Sequence, residues 1–406
     1  MERDEGLRRQ LRVRLGHVLR SAALLVVSLA GVGAKSYVTP SISQEATPFM
    51  GLAGLLSTTE GWGANGGGLY LTTDAGAKWT TITPENLLGE DPIARLDQFV
   101  AVGPSHLWAV ISDVPGNRCQ DGSCRSGAVD YSADAGRTWA VAYLPGCFDC
   151  ESAASFVDPR HGFVLGQTGG TAVVYGTGDG GRSWARLGEV SAGAGTTWSG
   201  IVFTSPAKGW LVGDEPGAPT SLLYSTSDGG RTWDPTGLPE PGVGAHVVET
   251  GSLQFFGPDA VLPEVREGTA KRQDRAQIDL TTDGGASWSK LVAPPAVAAS
   301  ALDIDGDLTF SAASPTSWFL IAGTRLYETD DAGRSWSYTT PTAAWSAGPF
   351  QLAFIDFVSP STGWSEVLFN SCGGLPRQTE PGSCENKVGL AATTTAGRTW
   401  RLVSSA

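Results

Sequence analysis

Carboxylates, cysteines and tryptophans are the side chains in this chain whose types and spacing could do chemistry. Asp113, Asp214, Glu215 and Glu366 lie near the ends of β-rich runs. Two carboxyls held at a suitable separation there would serve as the acid and base of a glycoside hydrolase. The six cysteines fall close together in twos, as Cys119-x4-Cys124, Cys147-x2-Cys150 and Cys372-x11-Cys384. In an oxidising compartment that usage reads as disulfides, with the connectivity left open. A zinc reading of the first four has no support from the repeat. A redox reading of Cys147-Phe148-Asp149-Cys150 lacks a surrounding β-α-β pattern. His17, His106, His161 and His246 form no cluster with metal spacing, and Asp303, Asp305 and Asp307 lack the Gly and terminal Glu of a calcium loop. No metal or cofactor is expected.

The dominant polar feature is a recurring box. It reads Thr72-x-Asp74-x-Gly76-x-x-Trp79 and recurs around Asp134 with Trp139, Asp179 with Trp184, Asp228 with Trp233, Asp283 with Trp288 and Asp331 with Trp336. A seventh copy, Thr393-x-Thr395-x-Gly397-x-Thr399-Trp400, has Thr where the others have Asp. Carboxylate and hydroxyl can bond the backbone of a tight turn, Gly supplies a positive φ, and Trp covers the turn with apolar surface. A β-rich run flanks each box on both sides, so the box is expected to join two strands of a hairpin. About twenty residues upstream, Phe156-x-x-Pro159-x-x-Gly162-Phe163, Phe203-x-x-Pro206-x-x-Gly209-Trp210 and Phe357-x-x-Pro360-x-x-Gly363-Trp364 mark a second hairpin. Degenerate copies begin at Leu55, Ala101, Phe255 and Ala312.

The elements that must carry these motifs are four short strands per unit, A to D. The second hairpin joins A to B and the box joins C to D. Seven such units, spaced by 45 to 64 residues from box to box, predict an all-β chain. Its fold is a seven-bladed β-propeller of four-stranded antiparallel blades over residues 50–406. The composition agrees, with 54 Gly, 24 Pro and 14 Trp, and only 17% charged residues. Such usage suits strands and turns and excludes a chain dominated by long amphipathic helices.

The boxes resemble the BNR or Asp-box repeat over nearly the whole body of the chain. With its Gly-Trp strands and Asp-Gly-Gly-Arg-Thr-Trp signatures, the chain looks most like the photosystem II stability/assembly factor family. That places it near the sialidase and sortilin type of propeller. Xyloglucanases share the box as well. Resemblance to a sialidase would imply a Phe-Arg-Ile-Pro stretch, six blades, an arginine cluster and a unique Tyr nucleophile. This chain has no such stretch and seven boxes. Its Tyr70, Tyr175, Tyr224 and Tyr327 recur at one strand C position. A residue set present once per blade serves the blade, whereas catalysis needs a unique constellation.

The same topology sorts the turns. A–B and C–D turns share one face, and B–C and D–A connections share the other. The irregular insertions 113–127, 146–152, 263–277 and 370–387, with all six cysteines, are therefore expected on that second, loop-bearing face. Trp198 and Trp345 belong to neither motif and precede A strands. They are read either as packing against the blade below or as an exposed platform for a peptide or sugar. The arginines outside the boxes, Arg95, Arg118, Arg125, Arg266, Arg272, Arg275, Arg325 and Arg377, gather there too. They are read as solvated loop charge or as a positive patch for an acidic partner segment.

The net charge is −13, yet residues 1–20 carry six Arg against three acids, a net +3 that leaves −16 for the rest. Nucleic acid is therefore not an expected partner. After this basic head, residues 21–34 form an apolar run suited to a signal-peptide core or a membrane anchor helix, followed by a linker over 35–49. Membrane contact is expected only through that segment. The body is expected outside the cytoplasm, secreted or anchored. There it would be a non-enzymatic binding or assembly scaffold for a protein or peptide partner in the cell envelope. The alternative is a secreted glycoside hydrolase, sialidase-like or other, or a carbohydrate-binding propeller. Ring closure has no evident shared blade, and Tyr37 to Ser41 is the candidate for an added strand.

Overall fold

The computed structural model describes residues 52–65, 68–87, 96–115, 125–148, 151–168, 170–240, 246–267, 275–292, 309–343, 345, 350–370 and 386–405. These form seven antiparallel sheets in chain order, each with its strands in the order A-B-C-D. In blade 4, for example, Thr197–Phe203, Gly209–Asp214, Leu222–Thr226 and Asp234–Pro235 pair in succession. The chain is a seven-bladed β-propeller. Two blades have a fifth strand. In blade 5, strand A is split into His246–Thr250 and Gln254–Phe256, both on strand B, and Gly251 N donates to Pro263 O across the break. In blade 7, Thr342–Ala343, from the connection out of blade 6, pairs in parallel with strand D (Thr399–Ser405).

The core is a ring of interfaces between blades, filled by the aromatic residues of both motifs. Trp62, Trp108, Trp210, Trp318 and Trp364 of the B strands are fully buried. A strand B aromatic of one blade meets a strand A Phe of the next: Trp108 stacks on Phe156 at 3.8 Å, Phe163 on Phe203 at 3.4 Å, and Trp210 lies 4.2 Å from Phe255. Tyr70, Tyr175 and Tyr327 are buried strand C packing residues.

The two hairpin turns of every blade are tied to each other. The residue after the box Asp (or Thr395) donates its N–H to a carbonyl of the A–B turn in all seven blades. The bonds run from Ala75 to Thr59, Ala135 to Ser105, Gly180 to Arg160, Gly229 to Ala207, Gly284 to Pro258, Ala332 to Thr316 and Ala396 to Ser361, at 2.7–3.0 Å. Both turns therefore lie on one rim. The B and C strands run further toward the opposite rim than the sequence suggests. Blade 2 continues through Pro115 and restarts at Arg125, blade 5 runs to Glu267 and restarts at Arg275, and blade 7 runs to Asn370 and restarts at Asn386. Antiparallel pairing simply continues past the Pro and Gly residues that read as loop. Residues 1–50, including the apolar run and Tyr37 to Ser41, lie outside the described residues, as do Asp303, Asp305 and Asp307.

Candidate functional site

On the box rim, each carboxylate is consumed by its own turn. In blade 3, Thr177 Oγ1 donates to Asp179 Oδ1 at 2.7 Å, Ser183 N to the same oxygen at 3.0 Å, and Ser183 Oγ to Oδ2 at 2.6 Å. Desolvation pushes Asp179 up, but these donors outweigh it and bring the carboxyl down to about 2. Asp331 is brought to about 2 chiefly by Ser335. Asp228 and Asp283 are lowered chiefly by Thr232 and Ser287. Asp134 is lowered by Thr138 and Ser132 against opposing desolvation. In the seventh box a hydroxyl does the same work: Thr399 N donates to Thr395 Oγ1 at 2.9 Å, and the two hydroxyls lie 2.8 Å apart. The position after the Asp is left-handed throughout, with Ala at φ 54–62° in four blades. Box Gly76 and Gly397 are left-handed too, and a Cβ on them would strike Val403 and Leu326 of the preceding blade.

A second polar set lies between blades. The residue just before the first motif position of strand A accepts the N–H of that motif position in the next blade. Phe203 N donates to Ser155 Oγ at 2.9 Å, Ala312 N to Gln254 Oε1 at 3.2 Å, and Phe357 N to Ser311 Oγ at 2.9 Å. Between blades 2 and 3 the bond is shifted by two residues, Ala154 N to Gln98 Oε1 at 2.5 Å. At the seam that closes the ring, between blades 7 and 1, the acceptor is a carboxylate: Leu55 N donates to Asp356 Oδ2 at 2.7 Å. Burial pushes Asp356 up to about 6, with the Leu55 N–H opposing. Opposite it on strand B stands Trp364, and two residues further along is Glu366, on the same face. Burial pushes Glu366 up to about 7. The cross-strand diagonal separates such residues by about 7–8 Å. The sequence reading flagged Glu366 and missed Asp356. The signal that could have found it is the Ser-Phe of 155–156 against the Asp-Phe of 356–357.

The blade 4/5 seam holds a further pair of carboxylates, Asp214 and Glu264. Thr250 Oγ1 donates to Asp214 Oδ1 and lies against Ser221 Oγ, which donates to Glu264 Oε1 at 2.5 Å. Glu264 is 0% exposed. Asp214 is thereby tied into an interblade relay. Glu215 lies in the B–C turn just beyond strand B, where Ala218 N donates to its carbonyl. Of Asp113 only the strand backbone is described.

Trp198 is 6% exposed, its ring 5.7 Å from Tyr224 and its Nε1–H bonded to Gly170 O at 3.1 Å. This burial corrects the platform reading, since a side chain sealed between blades offers no face to a ligand. Trp345 is half-buried, against Phe350 at 5.2 Å and Phe369 at 6.4 Å. Arg325 is exposed and lies 4.4 Å over Tyr338, which is 55% exposed. The backbones of Arg266 and Arg275 are directly opposed at the B–C end of blade 5, and Arg125 starts strand C of blade 2. Arg95, Arg118, Arg272 and Arg377 lie outside the described residues, as do Cys119, Cys124, Cys150, Cys372 and Cys384, while Cys147 is the penultimate residue of strand D of blade 2, with only its backbone described.

Seven sheets with a self-satisfied rim and polar seams define a seven-bladed propeller of the repeated-turn kind. No protein-family model and no curated protein sequence matches the chain. Among solved structures it is similar to YCF48 from Cyanidioschyzon merolae, at 13% identity and TM-score 0.48, covering 76% of this chain and 88% of that one. It is also similar to the Niastella koreensis GH74 enzyme, at 13% identity and TM-score 0.48, covering 88% of this chain and 66% of that one. A polysaccharide lyase of family PL25, an ulvan lyase, matches at 10% identity and TM-score 0.44, covering 75% of this chain and 81% of that one. The likeness is one of fold.

Proposed function

We propose that the protein is a non-enzymatic extracytoplasmic scaffold that binds a protein or peptide partner of the cell envelope on its loop-bearing face. The observation that carries this reading is the asymmetry of the two rims. One rim is a repeated set of turns whose carboxylates are saturated by their own donors, which leaves recognition to the rim where the blades differ. There Arg266 and Arg275 stand opposed across strands, and exposed Arg325 starts strand C of the next blade. Arginines gathered at this rim would favour an acidic partner segment. The basic head and apolar run of residues 1–34 support export, with the body secreted or anchored.

The test is capture from a cell-envelope extract with the immobilised protein. A partner retained by an Arg231→Ala variant of the box rim and lost on Arg325→Glu with Arg266→Glu supports the reading. Capture indifferent to the loop-face charges contradicts it. A hydrolytic reading has one observation in its favour, the carboxyls of Asp356 and Glu366 on one face of blade 7, both pushed up by burial. Turnover of aryl glycosides that disappears in Glu366→Gln would establish it and overturn the scaffold.

A further inference from the structure

Strand D stands at the outer end of six of the sheets, and in blade 7 Thr342–Ala343 lies outside it. An outer strand turns alternate N–H and C=O groups away from its sheet and accepts a further strand unless it is short or charged. Blades 1, 4 and 6 keep strand D to two or three residues, Thr80–Thr81, Asp234–Pro235 and Ser337–Thr339. Blades 3, 5 and 7 place charges in theirs, Arg186 and Glu189, Lys290, and Arg401. Blade 2 uses neither device. Its strand D, Ala140–Phe148, is 9 residues long and has no charged side chain.

Among the described residues three large apolar side chains are exposed, and two of them, Val141 and Tyr143, at 44% each, stand on this strand. They lie opposite Asp130 and Ala128 of strand C, on the face turned toward blade 1, whose own strand D stops at Thr81. Ala142 and Leu144 alternate to the other face and are buried with Ala154 and Phe156 of blade 3. Beyond Tyr143 a bulge brings Phe148 opposite Ser126, so the straight part of the edge is Ala140–Tyr143.

We propose that this edge pairs with the same edge of a second copy of the chain, the two strands D running antiparallel about a two-fold axis at Ala142. The side chains set the register. With Ala142 opposite itself, Val141 of each copy stands opposite Tyr143 of the other, a β-branched residue against an aromatic one, and the symmetry makes that pair twice. Ala140 stands opposite Leu144, and no charge meets a like charge in the paired stretch. The fold already takes an added strand at an outer edge: Thr342–Ala343 lies on strand D of blade 7, where Thr342 N donates to Arg398 O at 3.0 Å. The paired stretch is short, so the dimer is a weak one that forms with concentration. Each copy has a net charge of −13, so the bodies repel and salt strengthens the association by screening them.

The experiment is sedimentation of the full chain over about two decades of concentration, at low and at high salt, with Val141→Lys, Tyr143→Glu and an equal mixture of the two variants. The wild type is expected to pass from monomer to dimer, and to do so at lower concentration in the higher salt. Each variant alone spoils both cross-strand pairs and should need about tenfold more protein to dimerise. The mixture should recover much of the association. In this register a heterodimer restores one Val141–Tyr143 pair and sets the two introduced charges, of opposite sign, against each other. Hydrogen exchange of a peptide covering 140–148 should slow with concentration, while one covering 185–191 in blade 3 should not. A wild type that stays monomeric overturns the proposal, even if adding an envelope extract protects the edge, which would assign it to a foreign strand. Variants that dimerise like the wild type, a mixture no better than its components, or association that weakens with salt also overturn it. So does a 140–148 peptide already protected in dilute protein, which would assign the edge to another segment of the same chain. Association through the apolar run 21–34 is indifferent to both substitutions and so falls among the contrary results. The wild-type sedimentation and exchange decide on their own if a variant does not fold.

Discussion

The outer box rim and the ring-closing seam both depend on carboxylates, and they place them in opposite surroundings. At Asp179, two hydroxyls and a backbone N–H converge on a group near the surface, and its pKa falls to about 2. At Asp356 a single backbone N–H meets a part-buried group whose desolvation raises its pKa to about 6. Donor count against desolvation decides the sign. The rim is built to hold a charge and the seam is not. A carboxylate repeated once per blade is thus structural by its environment as well as by its repetition, whereas the unique one carries the unusual titration.

Four substitutions break or sharpen this contrast, in falling order of effect. Trp364→Ala empties the apolar half of the seam beside Gly61 and Trp79. It should cost about 3–5 kcal/mol in denaturant unfolding, and a loss below about 1 kcal/mol would show that the seam does not hold the ring. Asp179→Ala leaves the donors of its turn without an acceptor, for a loss of about 1–3 kcal/mol near neutral pH. That loss should vanish as pH falls below 4 toward 2, because the depressed carboxyl contributes only while ionised. Thr395→Asp restores the seventh box to the pattern of the others, with Thr399 N and Oγ1 already in place. A gain of about 1 kcal/mol is expected, present above pH 4 and absent in stronger acid. Ala332→Gly relieves a left-handed alanine at φ 57°. The gain should be about 0.5 kcal/mol, since part of the relief is offset by the entropy of glycine in the unfolded chain.

The rim was legible in the sequence because its interactions are local. Thr177, Asp179, Gly181 and Ser183 bond within one turn, so their spacing survives in every copy. The five strand B tryptophans were legible for the same reason. The seams were not, because each acceptor bonds a residue tens or hundreds of positions away: Ser155 to Phe203, Ser311 to Phe357, Asp356 to Leu55. The only local mark is the residue type just before the motif Phe, Ser in 155–156 and Asp in 356–357, and it shows only once the copies are set side by side. Trp198 failed as a platform on similar grounds, since its partner Gly170 belongs to the preceding blade. The fifth strand of blade 7 was missed because Thr342–Ala343 is two residues long and takes its pairing from strand D, 57 positions later.

The opposite titrations of rim and seam meet in one measurement, the unfolding free energy of the full chain as a function of pH from about 2 to about 8. The expected curve is a dome. It falls below pH 4 as the box carboxylates are protonated, peaks near pH 5, and declines toward pH 7 as Asp356 and Glu366 ionise. A curve that climbs out of acid and stays level or rises from pH 5 to pH 8 would contradict it.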